Sequence, residues 1–264
     1  MLELKHISKT FNPGTVNAKT ALDDLSLTLN DGDFVTVIGG NGAGKSTMLG
    51  AVAGTVTPDS GTVTLDGIDL TAMPEYKRAV YLGRVFQDPM MGTAADMLIE
   101  ENLALAARRG QKRRLRWSMS NAERDTYRAL LKPLELGLED RLSAKVGLLS
   151  GGQRQALTLL MASLRQPKLL LLDEHTAALD PKTAAKVLEL SDRIVEESHL
   201  TTLMVTHNMR DAIAHGNRLI MMDAGKIVLD ISDEDKKKLT VPDLLELFGQ
   251  ASGSHEANDK MLLG

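Results

Sequence analysis

The chain has 264 residues, 43% of them apolar, a formal charge of −4 and no cysteine. This is ample apolar material for a core, and the lack of cysteine excludes a disulfide framework or a thiolate metal site and suits a reducing compartment. No uninterrupted apolar run approaches the ~18 residues a spanning helix needs, so any route across a membrane must belong to another polypeptide.

The opening Met1-Leu-Glu-Leu-Lys-His6 is charged from its third residue and reads as neither a secretory signal nor a membrane anchor. Phe34-Val-Thr-Val-Ile38 is a short β-branched run of the kind that makes a buried parallel strand, and the segment from Lys45 to Leu49 reads as the start of a helix. Between them stand Gly39, Gly40, Asn41, Gly42, Ala43 and Gly44. The glycines at 39, 42 and 44 allow backbone conformations closed to other residues, so successive N–H groups can surround a phosphate at the helix N-terminus. Lys45 is then placed to reach the β- and γ-phosphates of a nucleotide and Ser46 to offer its hydroxyl to Mg²⁺, with Thr47 beside them. The plainer reading is a glycine turn before an ordinary helix. The complete spacing from Gly39 to Ser46, in strand–loop–helix context, weighs against it.

Strand-like and helix-like patterns alternate over residues 35–65 and again over 169–227, as expected of one domain with a parallel sheet flanked by helices. Between 88 and 160 the strand signal fades, and 97–109 and 122–136 read as helices, the second with an acid-to-base pair at Glu123 and Arg128. Arg108, Arg109, Lys112, Arg113, Arg114 and Arg116 form a cationic run with no acid, followed by Trp117. A solvated face and a contact with anionic lipid or with a membrane partner are both open readings of it. A single tryptophan does not supply the stacking platforms of a single-strand binder, and no DNA-binding motif accompanies it, so nucleic acid is not an expected partner. Residues 169–172 are too few to span a bilayer and too uniformly apolar for a half-exposed strand, so they should form a core strand beside the first, whose end delivers Asp173 to the site. Asp173 can then hold the Mg²⁺ shell, and Glu174 can polarise the water that attacks the γ-phosphate. Two acids capping the next helix is the local alternative. After Phe248, residues 249–260 are polar without apolar period and read as a loose tail.

Leu149-Ser-Gly-Gly-Gln-Arg-Gln-Ala156 lies between the two halves of this site and belongs to neither. With the phosphate loop before it and Asp173-Glu174 after it, the chain resembles the nucleotide-binding subunit of an ATP-binding cassette (ABC) transporter over roughly residues 1 to 230. The resemblance implies an α/β P-loop NTPase fold over 1–248, with a RecA-like parallel-sheet core, an antiparallel β subdomain and an inserted helical subdomain at about 88–160, followed by a flexible tail over 249–264. It implies an ATPase that uses ATP and Mg²⁺, with Ser46, Gln87 and Asp173 on the metal and Glu174, His207 and Gln87 in catalysis. Gln87 in Val85-Phe-Gln-Asp-Pro89 matches the family's Q-loop, which leads into the helical subdomain, and His207 matches the switch histidine that contacts the γ-phosphate. Phe11 is the match for the aromatic stacked on adenine, with a core phenylalanine as the competing reading. Leu149, Ser150, Gly151, Gly152 and Gln153 match the signature that caps the ATP of the opposite subunit, and Ala178, Leu179 and Asp180 match the D-loop that crosses to it.

The partners implied are a second copy or a paralogous ATPase subunit, integral membrane permease subunits and an extracytoplasmic solute-binding protein. The location implied is the cytoplasmic face of the cell membrane, as a peripheral subunit. His175 departs from the proline or small residue the family often has after the glutamate, which puts the local loop geometry in question. The single short cassette and its basic insert resemble ATPases of importers for hydrophobic amino acids. Export, a non-transport assembly or mechanotransmission role, and a nucleotide-dependent binding module with little turnover are the alternatives.

Overall fold

A computed structural model describes residues 1–111 and 119–252. Lys112, Arg113, Arg114, Arg116 and Trp117 of the cationic run, and the end of the expected tail, lie outside the described residues. The chain opens with strands β1 (Leu2–Phe11), β2 (Lys19–Leu29) and β3 (Phe34–Gly39), followed by helix α1 (Lys45–Ala53), β4 (Ser60–Leu65), β5 (Ile68–Asp69), the short α2 (Glu75–Arg78) and β6 (Leu82–Val85). The helices α3 (Ile99–Ala107), α4 (Asn121–Leu131) and α5 (Gly151–Ser163) come next, then β7 (Leu169–Asp173) and α6 (Pro181–Ser198). β8 (Thr202–Val205), α7 (Met209–Ala214), β9 (Arg218–Asp223), β10 (Lys226–Ser232), α8 (Asp233–Lys238) and α9 (Val241–Ser252) complete the described chain. Among the described residues no helix is long and apolar enough to cross a membrane.

Two sheets result. One is antiparallel in the order β2-β1-β4-β5, and the other runs β10-β9-β3-β8-β7-β6, parallel from β9 to β6 with β10 antiparallel at its edge. Successive strand residues point to opposite faces, so β7 serves two cores. Leu169 and Leu171 pack with Val35, Val37, Met48, Leu49 and the antiparallel sheet, whereas Leu170 and Leu172 pack with Ile99, Leu103, Ala156 and Leu188 from the helices. Each fully buried leucine contributes about 1.5–3 kcal/mol to folding. Arg78 ties α1 to the first core from below: buried, it donates to Ala51 O at 2.6 Å, Val52 O at 2.8 Å, Met73 O at 2.7 Å and Thr71 O at 3.2 Å. A cation at those last helical carbonyls also complements the helix dipole.

The helical stretch differs in detail from its sequence expectation. The first helix starts at Ile99, not at 97, with the Leu98 N–H held by Glu101 Oε2 at 2.8 Å. The second starts at Asn121 because Ser120 and Glu123 form a capping box, Glu123 N donating to Ser120 Oγ at 3.2 Å and Ser120 N to Glu123 Oε2 at 2.8 Å. It ends at Leu131, short of 136, and passes into a 3₁₀ turn over Lys132–Leu134, since Pro133 has no N–H to extend the α-helical ladder. The Glu123–Arg128 pairing does not form: Glu123 is used in the cap and meets Arg108 at 3.0 Å, while Arg128 pairs with Asp125 at 2.8 Å. At the far end, α9 carries helix through Gly249 to Ser252.

Candidate nucleotide site

β3 ends at Gly39 in the middle of the parallel sheet, and α1 begins at Lys45, so the intervening loop sits at the carboxyl end of the strand, as the sequence predicts. Gly44 holds a left-handed φ of 103°, and a Cβ there would lie 2.4 Å from Ala21 O, so no other residue fits between this loop and β2. The loop is also braced from the distant turn between β9 and β10, where Gly225 N donates to Ala43 O at 3.0 Å and Gly225 O accepts from Asp23 N at 3.1 Å. Lys45 is only 7% exposed, and its ammonium donates to Gly39 O at 2.6 Å and Gly40 O at 3.3 Å. Burial pushes this ammonium below its ordinary range, although Glu174 and Asp173 nearby pull it back up.

β7 brings Asp173 and Glu174 beside that lysine. Glu174 takes a left-handed φ of 44°, a conformation costing about 1–3 kcal/mol in a non-glycine residue, and its N–H donates to Val205 O at 2.9 Å. Its carboxylate lies 3.7 Å from His207 Nδ1, which follows β8. Neither acid acts as the side-chain cap of α6: Asp180 does, accepting from Thr183 N at 3.1 Å, so the helix-capping alternative for the acid pair fails.

A cleft of about 210 Å³ joins Phe11, Lys19 and Ala21 of the antiparallel sheet to Gly40, Asn41, Gly42, Ala43, Gly44, Lys45, Ser46, Thr47 and Glu174. Phe11 is 39% exposed with the Lys9 ammonium 5.6 Å from its ring centroid, so it is not a core residue. His207 lines a separate cleft of about 530 Å³ with Leu179, Pro181 and Asn208, between the loop after β7 and α6. Gln87 is exposed two residues beyond β6, whose last residue pairs with Leu172. Leu149 to Gln153 stand apart from the cleft at the start of α5, where Ser150 and Gln153 form a second capping box: Gln153 N donates to Ser150 Oγ at 3.3 Å and Ser150 N to Gln153 Oε1 at 3.1 Å. Ala178, Leu179 and Asp180 lead into α6.

Three residues near the site were not assigned a place by sequence reasoning. Lys19 lines the cleft, its ammonium 2.9 Å from where a Cβ on Gly42 would stand, and an isolated lysine in a strand offers no signal of this. Arg84 on β6 donates to Asp173 Oδ2 at 3.2 Å. His175 was noticed only as a departure; its ring is 2% exposed and Nε2 lies 3.0 Å from Ser191 Oγ of α6. Burial, helped by nearby His215, pushes its pKa down to about 4.

A glycine-lined phosphate loop on a central parallel strand, with an acid pair delivered by β7, which is separated from β3 by β8 and not beside it as the sequence predicts, defines a P-loop ATPase. Residues 22–177 match the family model described as ABC transporter, and the chain belongs to that family. It is 48% identical over 255 residues to the tyrosine transport ATP-binding protein of Clostridioides difficile (strain R20291), covering 95% of this chain and 100% of that protein. It is 36% identical over 234 residues to the methionine import ATP-binding protein MetN of Corynebacterium diphtheriae, covering 86% of this chain but 64% of that longer one. An ATP-binding cassette, MJ0796, solved as a dimer in a post-hydrolysis state with ADP and Pi, matches with a TM-score of 0.73 at 30% identity, over 88% of this chain and 98% of the cassette. The chain is an ATP-binding ABC ATPase, with the antiparallel sheet, parallel core and helical insert of that fold.

Proposed function

We propose that this ATPase powers solute import through permease subunits at the cytoplasmic face of the membrane, and that the cargo is an amino acid of the tyrosine type. The observation that carries the ATPase site is the single cleft that joins Phe11, the loop from Gly40 to Thr47, and Glu174. The cargo rests on the likeness to the tyrosine transport relative along the whole of that protein's length.

Phe11 offers a ring face to adenine, and the loop N–H groups with Lys45 hold the phosphates, the ammonium turning from the Gly39 and Gly40 carbonyls toward them. Among the described residues no three His, Asp or Glu side chains could hold a metal together. Mg²⁺ keeps a shell of substrate phosphates and water and takes few protein oxygens. Ser46 and Asp173 are the oxygens at hand, with Gln87 as a further ligand. Bound there, Mg²⁺ would neutralise charge on the β- and γ-phosphates. Glu174 accepts the proton of the attacking water, and His207, whose Nδ1 lies 3.7 Å from that carboxylate, orients it and contacts the γ-phosphate. Ser150 to Gln153 complete the site of a second copy or a paralogous subunit, so ATP favours the closed pair and hydrolysis releases it.

The test is to reconstitute the chain with its permease and solute-binding protein in vesicles. Labelled tyrosine should be taken up with ATP turnover, and Glu174→Gln should lower turnover by about 10²–10⁴ while the chain still binds ATP. Near-normal turnover in that variant would remove Glu174 from the role; uptake of other solutes but not of aromatic amino acids would remove the cargo.

A further inference from the structure

Arg84 occupies the middle of β6, in parallel register with Leu171 of β7, so its side chain runs alongside the strand that ends in Asp173. Its Nη2 donates to Asp173 Oδ2 at 3.2 Å, and the two side chains are only 19% and 17% exposed. The guanidinium is held from a second side by the Phe86 ring, whose centroid is 4.6 Å from Cζ. Its Nε is buried without a hydrogen-bond partner, so the group is fixed by the ion pair and the stacking and by little else. Arginine suits this position because it stays charged and its plane can stack while its edge reaches a carboxylate.

The same carboxylate is the one assigned above to Mg²⁺. A cation fixed against one oxygen of Asp173 repels a second cation and occupies a lone pair that the metal shell would use. We infer that Arg84 is a positioning residue that competes with the divalent cation for Asp173 and thereby sets how much Mg²⁺ the nucleotide site requires. The inference rests on the reading of Asp173 as a metal carboxylate.

The experiment titrates Mg²⁺ against ATP binding by the full chain, followed by calorimetry, with thermal unfolding as a check on folding. Arg84→Met should lower the half-saturating Mg²⁺ concentration by about three- to tenfold, the scale of one partly buried charge pair, and leave Mg²⁺-free ATP binding unchanged. Phe86→Leu removes the stacking platform but not the charge and should shift the midpoint the same way by less; it carries the test if Arg84→Met does not fold. A purely structural ion pair would lower the unfolding temperature and leave the Mg²⁺ midpoint where it is, which overturns the inference, as does a higher midpoint. Asp173→Asn separates the two levels. If Asp173→Asn raises the midpoint while Arg84→Met leaves it alone, only the role of Arg84 falls; if Asp173→Asn has no effect on the midpoint, the metal assignment falls with it.

Discussion

His175 directly follows Glu174, yet its ring points away from the cleft into the packing between β7 and α6. Sequence reasoning marked the position as unusual and could say no more, because nothing in a linear reading reveals that Ser191, sixteen residues on, waits beneath it. The other site residues were legible for the opposite reason: the loop from Gly39 to Ser46 and the acid pair derive their meaning from near neighbours in the chain. The buried imidazole makes a test of stability possible. Unfolded, it takes up a proton near pH 6.5; folded, only near pH 4, so between those values the unfolded chain binds more protons and stability falls on acidification. The contribution lost across that window is roughly 3 kcal/mol. His175→Leu should remove that part of the acid sensitivity, since Ser191 Oγ still donates to Val187 O at 2.8 Å. Urea midpoints measured from pH 7 to pH 4.5 would show it as a flatter pH dependence than that of the parent; parallel curves would exclude His175 as the titrating group.

The run from Leu149 to Gln153 stood out in sequence because it has no purpose in its own phosphate loop. At the start of α5, however, Ser150 and Gln153 cap the helix, and Gly152 lies so near α6 that an added Cβ would stand 2.1 Å from Thr183 Cγ2. The spacing of a serine and a glutamine three residues apart was a readable capping box; the close approach of α6 was not, because it is set by packing. Gly152→Ala should therefore destabilise the isolated chain by about 1–3 kcal/mol through overpacking, before any second subunit is involved. Thr183→Ser deletes the obstructing methyl group, and adding it should recover most of the loss in denaturant unfolding. If the double variant is no more stable than Gly152→Ala alone, the contact does not limit α5. The proposed contact across a dimer is then measured cleanly only in the repaired background.

The parallel sheet divides the molecule into two cores, with adjacent leucines of β7 facing opposite ways. Alternating patterns in sequence announced the sheet, and the fading strand signal after residue 88 announced the helical insert. The ends of that insert's helices were missed because a capping box and Pro133 set them. Leu171→Ala and Leu172→Ala should each cost about 2–5 kcal/mol. Amide exchange should tell them apart: the first should loosen α1 and the antiparallel sheet, the second α3 and α5. The same exchange pattern in both variants would mean that the two cores open as one. The phosphate loop itself depends on chain that is made well after it. Val35 is flanked in the sheet by Leu203 and Arg218, and Ala43 is braced by Gly225. Although its glycines leave the ribosome early, the loop lacks its neighbours until β8, β9 and the turn before β10 have been synthesised. A growing chain that still lacks those strands therefore presents the loop without the sheet neighbours and the brace that hold it in the finished fold.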